Sequence, residues 1–133
     1  MIYTVTLNPA IDKTVVIENF RAGGVNRVAS VREDAGGKGI NVSKCLKNLG
    51  EKSVAAMILA GDTGAKLERM LGELGIPVLS VWTEGENRTN LKIIDPVNKA
   101  NTDINEPGPV VSAALLEQFK EKLGSRIQSE DVV

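Results

Sequence analysis

The sequence predicts an α/β protein that contains a parallel sheet covered by helices and a small separate sheet. Apolar runs typical of buried strands alternate with amphipathic segments typical of helices, a pattern that produces parallel sheets. Two pairs of shorter strand-like segments, within 14–33 and 88–105, fall outside that alternation. We therefore expect these two pairs to form the second sheet.

Three core strands are predicted from their apolar patterns. Residues 1–8 alternate around apolar positions, and residues 53–60 and 78–82 are nearly continuous apolar runs. Between the first two lie the candidate strands of the small sheet, at 14–17 and 27–33. The other pair, at 89–94 and 99–104, flanks a turn formed by residues 95–98 with a proline in second position.

Helices are predicted after the glycine-rich stretch at 35–39, from Asp62 or Thr63 to Gly75, and from Ser112 onward. Asp62 or Thr63 is expected to cap the second helix, and Ser112 the third. In the first helix, residues at i, i+3, i+4 and i+7 form an apolar stripe that we expect to face the core. Its members are Val42, Cys45, Leu46 and Leu49, and Lys44 belongs to the solvated side.

The composition excludes several classes of function. The chain has 133 residues, a net charge of −1 and no apolar run of membrane-spanning length, which argues against nucleic acid and membranes as partners. A single cysteine allows no internal disulfide and favours the cytoplasm. Histidine is absent, so catalysis by a Ser-His or Cys-His pair is excluded and acid-base chemistry would need a carboxylate or a lysine.

The stretch "AGGKGIN" at 35–41 has the properties of an anion site. Gly36, Gly37 and Gly39 allow close approach of a ligand to the backbone, and the following helix offers its positive end. Lys38 adds a charge and Asn41 a hydrogen-bonding amide. The stretch matches neither the Walker A pattern nor G-x-G-x-x-G. A strand-to-helix turn that binds nothing remains the alternative.

Asp12 is a second candidate site residue. It follows the first strand in "NPAID", and ligands of open α/β sheets bind at the carboxyl ends of the strands. A carboxylate there can accept hydrogen bonds from two sugar hydroxyls. The alternative is a turn carboxylate that bonds its own backbone.

Five sequence blocks occur together in the order expected of one family. They are "NPAID" at 8–12, "VNR" at 25–27, "AGGKGINV" at 35–42, "GDTG" at 61–64 and Thr89-Asn90. The chain thereby resembles the N-terminal half of a ribokinase-like (PfkB-type) sugar kinase. It is most similar to the branch of 1-phosphofructokinases and tagatose-6-phosphate kinases.

The resemblance implies a three-layer α/β/α core with a small β-sheet lid, formed here by the strands within 14–33 and 88–105. It implies transfer of the γ-phosphoryl group of ATP, with Mg²⁺, to a hydroxyl of a phosphorylated ketose. Asp12 matches the family's ligand of the sugar hydroxyls. The residues that match the loop around the sugar phosphate are Gly36, Gly37, Lys38 and Asn41, and Arg27 and Arg88 match basic positions that reach the phosphate from the lid.

The family's catalytic aspartate lies in a G-A-G-D motif of the C-terminal half, which also binds ATP. Residues 1–133 contain no such motif, so the resemblance implies a catalytic aspartate beyond Val133. We therefore expect this chain to be the N-terminal part of one kinase domain, without its ATP-binding half, and to be inactive alone.

The resemblance leaves the substrate and the assembly open. Fructose 1-phosphate is the first expected substrate and tagatose 6-phosphate the second. A module that binds phosphate esters or oligomerises without chemistry is the alternative of another class. Unpaired lid edges also predict a homodimer joined through the lid.

Overall fold

A computed structural model describes all residues from 1 to 133. The elements in chain order are β1 Ile2–Thr6, β2 Ala10–Val16, β3 Ser30–Gly36, α1 Lys38–Asn48, β4 Ser53–Ala60, α2 Gly61–Glu73, β5 Val78–Thr83, β6 Arg88–Asp95, β7 Ala100–Asn105 and α3 Ala113–Gly124. None of the three helices is both long enough and apolar enough to cross a membrane.

The core sheet is parallel, with strand order β1-β4-β5. On the free side of β1, Val132 forms a parallel bridge with Ile2, and Tyr3 donates its N–H to the carbonyl of Val132 at 2.8 Å. The predicted core strands are therefore confirmed, and the segment around Val132 pairs with this sheet as well.

Strand β4 separates two apolar layers. Its residues Ala55, Met57 and Leu59 pack in one cluster with side chains of α1 and α2, whereas Ala56 and Ile58 pack with Leu115 and Phe119 of α3. Burial of each large aliphatic side chain stabilises the fold by ~1.5–3 kcal/mol. Because successive side chains of a strand point to opposite faces, the apolar run from Val54 to Ala60 of β4 requires helices on both sides. The three-layer α/β/α core is confirmed.

The second sheet has four strands in the order β3-β2-β6-β7. The two predicted pairs are antiparallel, and the parallel pairing of β2 with β6 joins them into one sheet. Val15, Ile17 and Ile93 form its own small core, while Ile11 and Ala35 belong to the main apolar cluster. The sheet is thus anchored to the α/β core at one end. We call this four-stranded sheet the lid.

Two lid strands begin three or more residues away from their predicted starts, and the other two are shifted by one residue. β2 begins at Ala10 instead of 14, and β3 begins at Ser30 instead of 27. Pairing of Ala10 with Gly36 carries the polar residues Asp12 and Lys13 into the ladder. Sheet pairing therefore overrides the weak strand propensity of a single aspartate. As a result, Asp12 lies within a lid strand rather than in a turn after β1.

Asp95 joins the β6–β7 turn to the loop after β2. Its buried carboxylate accepts hydrogen bonds from the Asn98 side chain at 2.8 Å and from the backbone N–H groups of Asn98, Val97, Asn19 and Phe20 at 2.8–3.2 Å. These bonds, that of the Asn98 amide above all, lower the pKa of Asp95 to about 2. One ionised carboxylate therefore ties two lid connections together.

The predicted apolar stripe of α1 is wrong for most of its members. Val42 is 50% exposed and Leu49 73% exposed, and Cys45 is exposed as well. The buried residues of α1 are Ile40 and Ser43. Spacing alone locates an apolar stripe on a helix, but it does not determine which face of the helix meets the sheet.

A hydroxyl cluster seats α1 on the sheet instead. The hydroxyl of Ser43 lies 2.7 Å from that of Thr4 and accepts a hydrogen bond from the Ser53 hydroxyl at 2.9 Å. These three buried side chains connect α1 to β1 and β4. A helix face with a small polar residue can approach the strands closely because each buried hydroxyl has a partner.

Candidate functional site

Helix α1 begins in close contact with the end of β1. Gly37 is the N-cap residue, and its φ of 124° is a conformation that only glycine adopts without strain. The Thr6 hydroxyl accepts a hydrogen bond from the N–H of Ile40 at 3.2 Å. A Cβ at Gly37 would lie 2.6 Å from the Thr6 side chain, and one at Gly39 would lie 2.5 Å from the Val5 carbonyl oxygen. Packing against β1 therefore explains these two glycines without a ligand.

Gly36 has a different reason to lack a side chain. A Cβ at this position would lie 2.0 Å from Oδ2 of Asp12, because β2 and β3 bring the two residues together. The other carboxylate oxygen, Oδ1, accepts a hydrogen bond from Nδ2 of Asn90 at 3.2 Å. The site therefore contains a partly buried carboxylate placed over bare backbone, next to the start of α1.

Asp12 lines a cleft of about 500 Å³ between the lid and α1. The predicted residue Asn41 and the side chains of Asn90 and Lys44 also line it, and Leu91 is the one apolar residue among its twelve. Apolar walls are the rule for drug-like ligands. A lining of carboxylate, amide and ammonium groups instead suits a ligand that is polar over its whole surface.

Lys44 is a cleft residue that the sequence analysis placed on the solvated side of the helix. Its side chain is partly buried and its Nζ donates to the Ala35 carbonyl at 2.7 Å. The lysine thereby ties the end of β3 to α1 next to Gly36. Its position one turn after Ile40 is the only local signal, and that signal does not distinguish a bonded lysine from a solvated one.

Lys38 is the first residue of α1 and is exposed. It takes part in none of the ion pairs of the chain, so its ammonium group is available to a ligand. The positive end of the helix dipole reinforces its charge. This part of the predicted anion site is therefore present beside the cleft of Asp12.

Arg88 is the first residue of β6, at the end of the lid that lies next to α1. It pairs with Ala10 in the register that pairs Asp12 with Asn90, so Arg88 and Asn90 share one face of β6. Nη2 of Arg88 donates to the Asn8 carbonyl at 3.2 Å, whereas its Nε is buried without a partner. The guanidinium group is thus held near the "NPAID" segment with one donor unused.

Arg27 is not brought together with the other candidates. It precedes β3 in the loop after β2, where it lines a separate cleft of about 490 Å³ with Arg21 and Asn26. The Asn26 side chain organises this loop, because it accepts from the Arg21 N–H and donates to the Arg21 carbonyl, both at 2.8 Å. The prediction that Arg27 lies on a lid strand, within 27–33, is therefore wrong.

The cap of α2 also differs from the prediction. Its N-cap residue is Ala60, which has no capping side chain, so neither Asp62 nor Thr63 is the cap. The Glu86 carboxylate instead accepts hydrogen bonds from the N–H groups of Asp62 and Thr63, at 3.1 and 2.9 Å. These bonds, those of Thr63 first, lower the pKa of Glu86.

Asn87 braces the neighbouring end of β4. Its buried side chain accepts from the Ala60 N–H at 2.8 Å and donates to the Ile58 carbonyl at 3.2 Å. No capping role was predicted for Glu86 and no buried role for Asn87, since both were expected in a surface connection into the lid. The available signal was indirect, since a helix that begins after alanine needs a capping group from elsewhere.

The catalytic aspartate and the ATP-binding residues were both predicted to lie outside this chain, beyond Val133. Val133 itself is exposed and follows Val132, the residue that bridges to β1. It is a neighbour of the core sheet and not a member of the cleft of Asp12, whose lining comes from the lid and α1. The catalytic aspartate lies outside the described residues 1–133 and stays a prediction.

No group of three or more His, Cys, Asp or Glu side chains comes together in the structure. Carboxylates are typical ligands of Mg²⁺, and the cleft is lined by Asp12, Asp34 and Asp103. Asp34 is paired with Arg32 at 2.8 Å and Asp103 with Lys92 at 3.7 Å, which leaves the Asp12 carboxylate without a cationic partner. A single carboxylate that already bonds an amide fits a hydroxyl donor better than a metal ion.

Curated relatives of this chain include 1-phosphofructokinase from Xanthomonas campestris pv. campestris, which is 39% identical over 126 residues. That alignment covers 95% of this chain and 40% of the relative. Tagatose-6-phosphate kinase from Staphylococcus epidermidis is 33% identical over 132 residues, which are 99% of this chain and 42% of the relative. The chain thus spans about two-fifths of the length of these relatives.

A solved structure of phosphofructokinase-2 from Escherichia coli in complex with fructose-6-phosphate has the same fold. It matches with a TM-score of 0.89 at 27% identity, over 98% of this chain and 43% of that chain. A tetrameric inhibited form of the same enzyme matches with a TM-score of 0.83, over 92% of this chain and 40% of that chain. The ribokinase-like fold is therefore confirmed.

The profile described as "pfkB family carbohydrate kinase" matches residues 5–133, which include every block that carried the resemblance. The lid, the glycine-rich start of α1 and the cleft of Asp12 all lie within this match. This chain belongs to the pfkB family of carbohydrate kinases.

Proposed function

We propose that the protein carrying this chain phosphorylates a phosphorylated ketose, with fructose 1-phosphate as the first substrate, and that residues 1–133 hold the sugar phosphate. The observation that carries the proposal is the Asp12 carboxylate, which lies over Gly36 in a polar cleft next to the start of α1. The names of the relatives from Xanthomonas and Staphylococcus support a sugar phosphate as ligand.

Each site residue has a role that follows from its chemistry. The Asp12 carboxylate accepts hydrogen bonds from two sugar hydroxyls and so orients the ring. Gly36 makes room for this carboxylate, Gly37 lets α1 begin close to it, and the Asn41 amide in the cleft bonds a further hydroxyl. Lys38 pairs with the phosphate of the substrate at the positive end of α1.

Arg88 is the second cation proposed to bind the phosphate of the substrate. Its planar fork of donors suits a phosphate better than an ammonium group does, and its buried Nε would gain a partner if the guanidinium group turned toward the phosphate. Arg27 is the third, but it lies in another cleft of the same chain. For Arg27 to bind the substrate phosphate, the loop after β2 must move or a second copy must supply the arginine.

We assign ATP and Mg²⁺ to the same reaction, with ATP as the phosphoryl donor. The nucleotide and the metal supply the phosphoryl group and neutralise its charge, while the residues described here bind and orient the acceptor. The catalytic base for the accepting hydroxyl is assigned to an aspartate beyond Val133. We place the activity in the cytoplasm and propose a homodimer joined through the lid.

Tagatose 6-phosphate is the second candidate substrate, favoured by the 33% identity to tagatose-6-phosphate kinase. The decisive experiment measures phosphoryl transfer by the full-length protein from ATP to each of the two sugar phosphates, with fructose and tagatose as unphosphorylated controls. We expect the highest kcat/KM with fructose 1-phosphate. Tight binding of a sugar phosphate without turnover would replace the proposal by a phosphate-ester-binding module.

A further inference from the structure

Asn90 is joined to Asp12 by both backbone and side chain. The two residues are register partners in the parallel pairing of β2 with β6, and Nδ2 of Asn90 donates to Oδ1 of Asp12 at 3.2 Å. The second oxygen of Asp12 lies over Gly36. One oxygen of this carboxylate is therefore held by an amide, and the other occupies space that a side chain at position 36 would fill.

Only one half of the Asn90 amide is hydrogen-bonded in this arrangement. Its Oδ1 is buried and accepts no hydrogen bond, and such an unpaired carbonyl oxygen destabilises a folded protein. A 180° rotation of the amide would exchange its oxygen and nitrogen. The oxygen would then face Oδ1 of Asp12, and two acceptor oxygens repel each other. The contact with Asp12 therefore fixes an orientation that is unfavourable for Asn90 itself.

We propose that Asn90 is a positioning residue, which holds the Asp12 carboxylate in the orientation that receives the hydroxyls of the ligand. This proposal rests on the proposed function, in which the Asp12 carboxylate binds the hydroxyls of the sugar. A side-chain carboxylate can rotate about two bonds, and a binding group must be held close to its productive geometry. Asn90 supplies this restraint from the neighbouring strand, at the wall of the same cleft.

The test is a double-mutant cycle in the full-length protein, with affinity for fructose 1-phosphate measured by calorimetry. We expect Asn90→Ala to weaken binding by ~10-fold, because the carboxylate loses its charge-assisted restraint. In an Asp12→Ala background the same substitution should have no further effect, since the residue acts through Asp12. Equal losses in both backgrounds would overturn the proposal. Asn101→Ala, an exposed asparagine of β7 outside the cleft, is the matched control.

A crystal structure of the Asn90→Ala variant provides a second readout that does not depend on any ligand. We expect the Asp12 side chain to leave its place over Gly36. An unmoved carboxylate would overturn the proposal, whatever the affinities show. A wild-type protein that binds neither fructose 1-phosphate nor tagatose 6-phosphate would instead contradict the proposed function, and the crystal structure would still decide the role of Asn90.

Discussion

The carboxylate of Asp12 occupies the space in which a side chain at Gly36 would begin. A Cβ at Gly36 would lie 2.0 Å from Oδ2 and 2.5 Å from Cγ of Asp12. Gly36 has no positive φ, so the reason for glycine here is space rather than backbone conformation. The two residues therefore form one unit. Gly36 of β3 makes room for the carboxylate of Asp12 on β2, which is the group proposed to bind the sugar.

Gly36→Ala is predicted to displace this carboxylate and to weaken binding of the sugar phosphate by ~1.5–3 kcal/mol, the worth of a charge-assisted hydrogen bond. The fold should persist, because the displaced group is the end of a flexible side chain. Calorimetric titration and a thermal melt measure the two effects. The control is Gly72→Ala, which meets nothing within 4 Å and should leave binding unchanged.

Lys38→Met is predicted to weaken binding of the phosphorylated sugar by ~1.5–3 kcal/mol, since a charged partner of the phosphate is lost. The affinity of the full-length protein for ATP should hardly change. Lys52→Met, which removes an exposed charge at the opposite end of the core sheet, is the control. An equal loss of affinity for ATP would mean that the start of α1 serves the nucleotide.

Residues 1–133 alone are predicted not to transfer a phosphoryl group. General-base help is worth ~10²–10⁴-fold in rate, and positioning of the second reactant is worth more. Both are assigned to parts of the relatives that this chain does not cover. The measurement incubates the fragment, shown to be folded by circular dichroism, with ATP, Mg²⁺ and fructose 1-phosphate. Turnover above background would mean that Asp12 or Asp62 acts as a base, and that no aspartate beyond Val133 is needed.

The lid is predicted to join two copies of the protein. Its outer strands present unpaired edges together with Val31 and Ile104, which are 55% and 52% exposed. Val31→Lys should therefore shift the full-length protein toward the monomer in light scattering at micromolar concentration. Val110→Lys, at an 87% exposed position outside the lid, should not do so. A folded wild-type monomer under these conditions would contradict the prediction.

Asp95 is predicted to make the stability of the lid depend on acid. Its pKa is lowered from 3.8 to about 2, so the folded state favours the ionised form. Its contribution to stability is therefore complete above pH ~4 and disappears as the pH falls through about 2. Asp95→Asn should lower the melting temperature at pH 7, and this difference should shrink between pH 4 and pH 2. Glu84→Gln, an exposed carboxylate outside the lid and outside every ion pair, is the control. A melting-temperature difference for Asp95→Asn that does not change with pH would contradict the prediction.

Local patterns were sufficient wherever one segment carries its own signal. The bounds of β4 and the Ser112 cap of α3 agree with the prediction, and the hairpin turn is found at 96–99, one residue later than the predicted 95–98. Each depends on neighbouring residues, because an apolar run of strand length, a hydroxyl before a helix and a proline in a turn act over a few positions. The sequence blocks likewise sufficed for the family and for the α/β/α core.

Contacts between distant residues decided the rest. The cap of α2 comes from Glu86, 24 positions after the N–H of Asp62, and the Ser43 hydroxyl finds Thr4 across 39 positions. The strand pairing that puts Asp12 over Gly36 likewise joins residues far apart in the chain. No local pattern encodes these distances. The sequence by itself determined which elements form and to which family they belong, and only the packing of the lid against α1 decided where the carboxylate, the amides and the cations of the site meet.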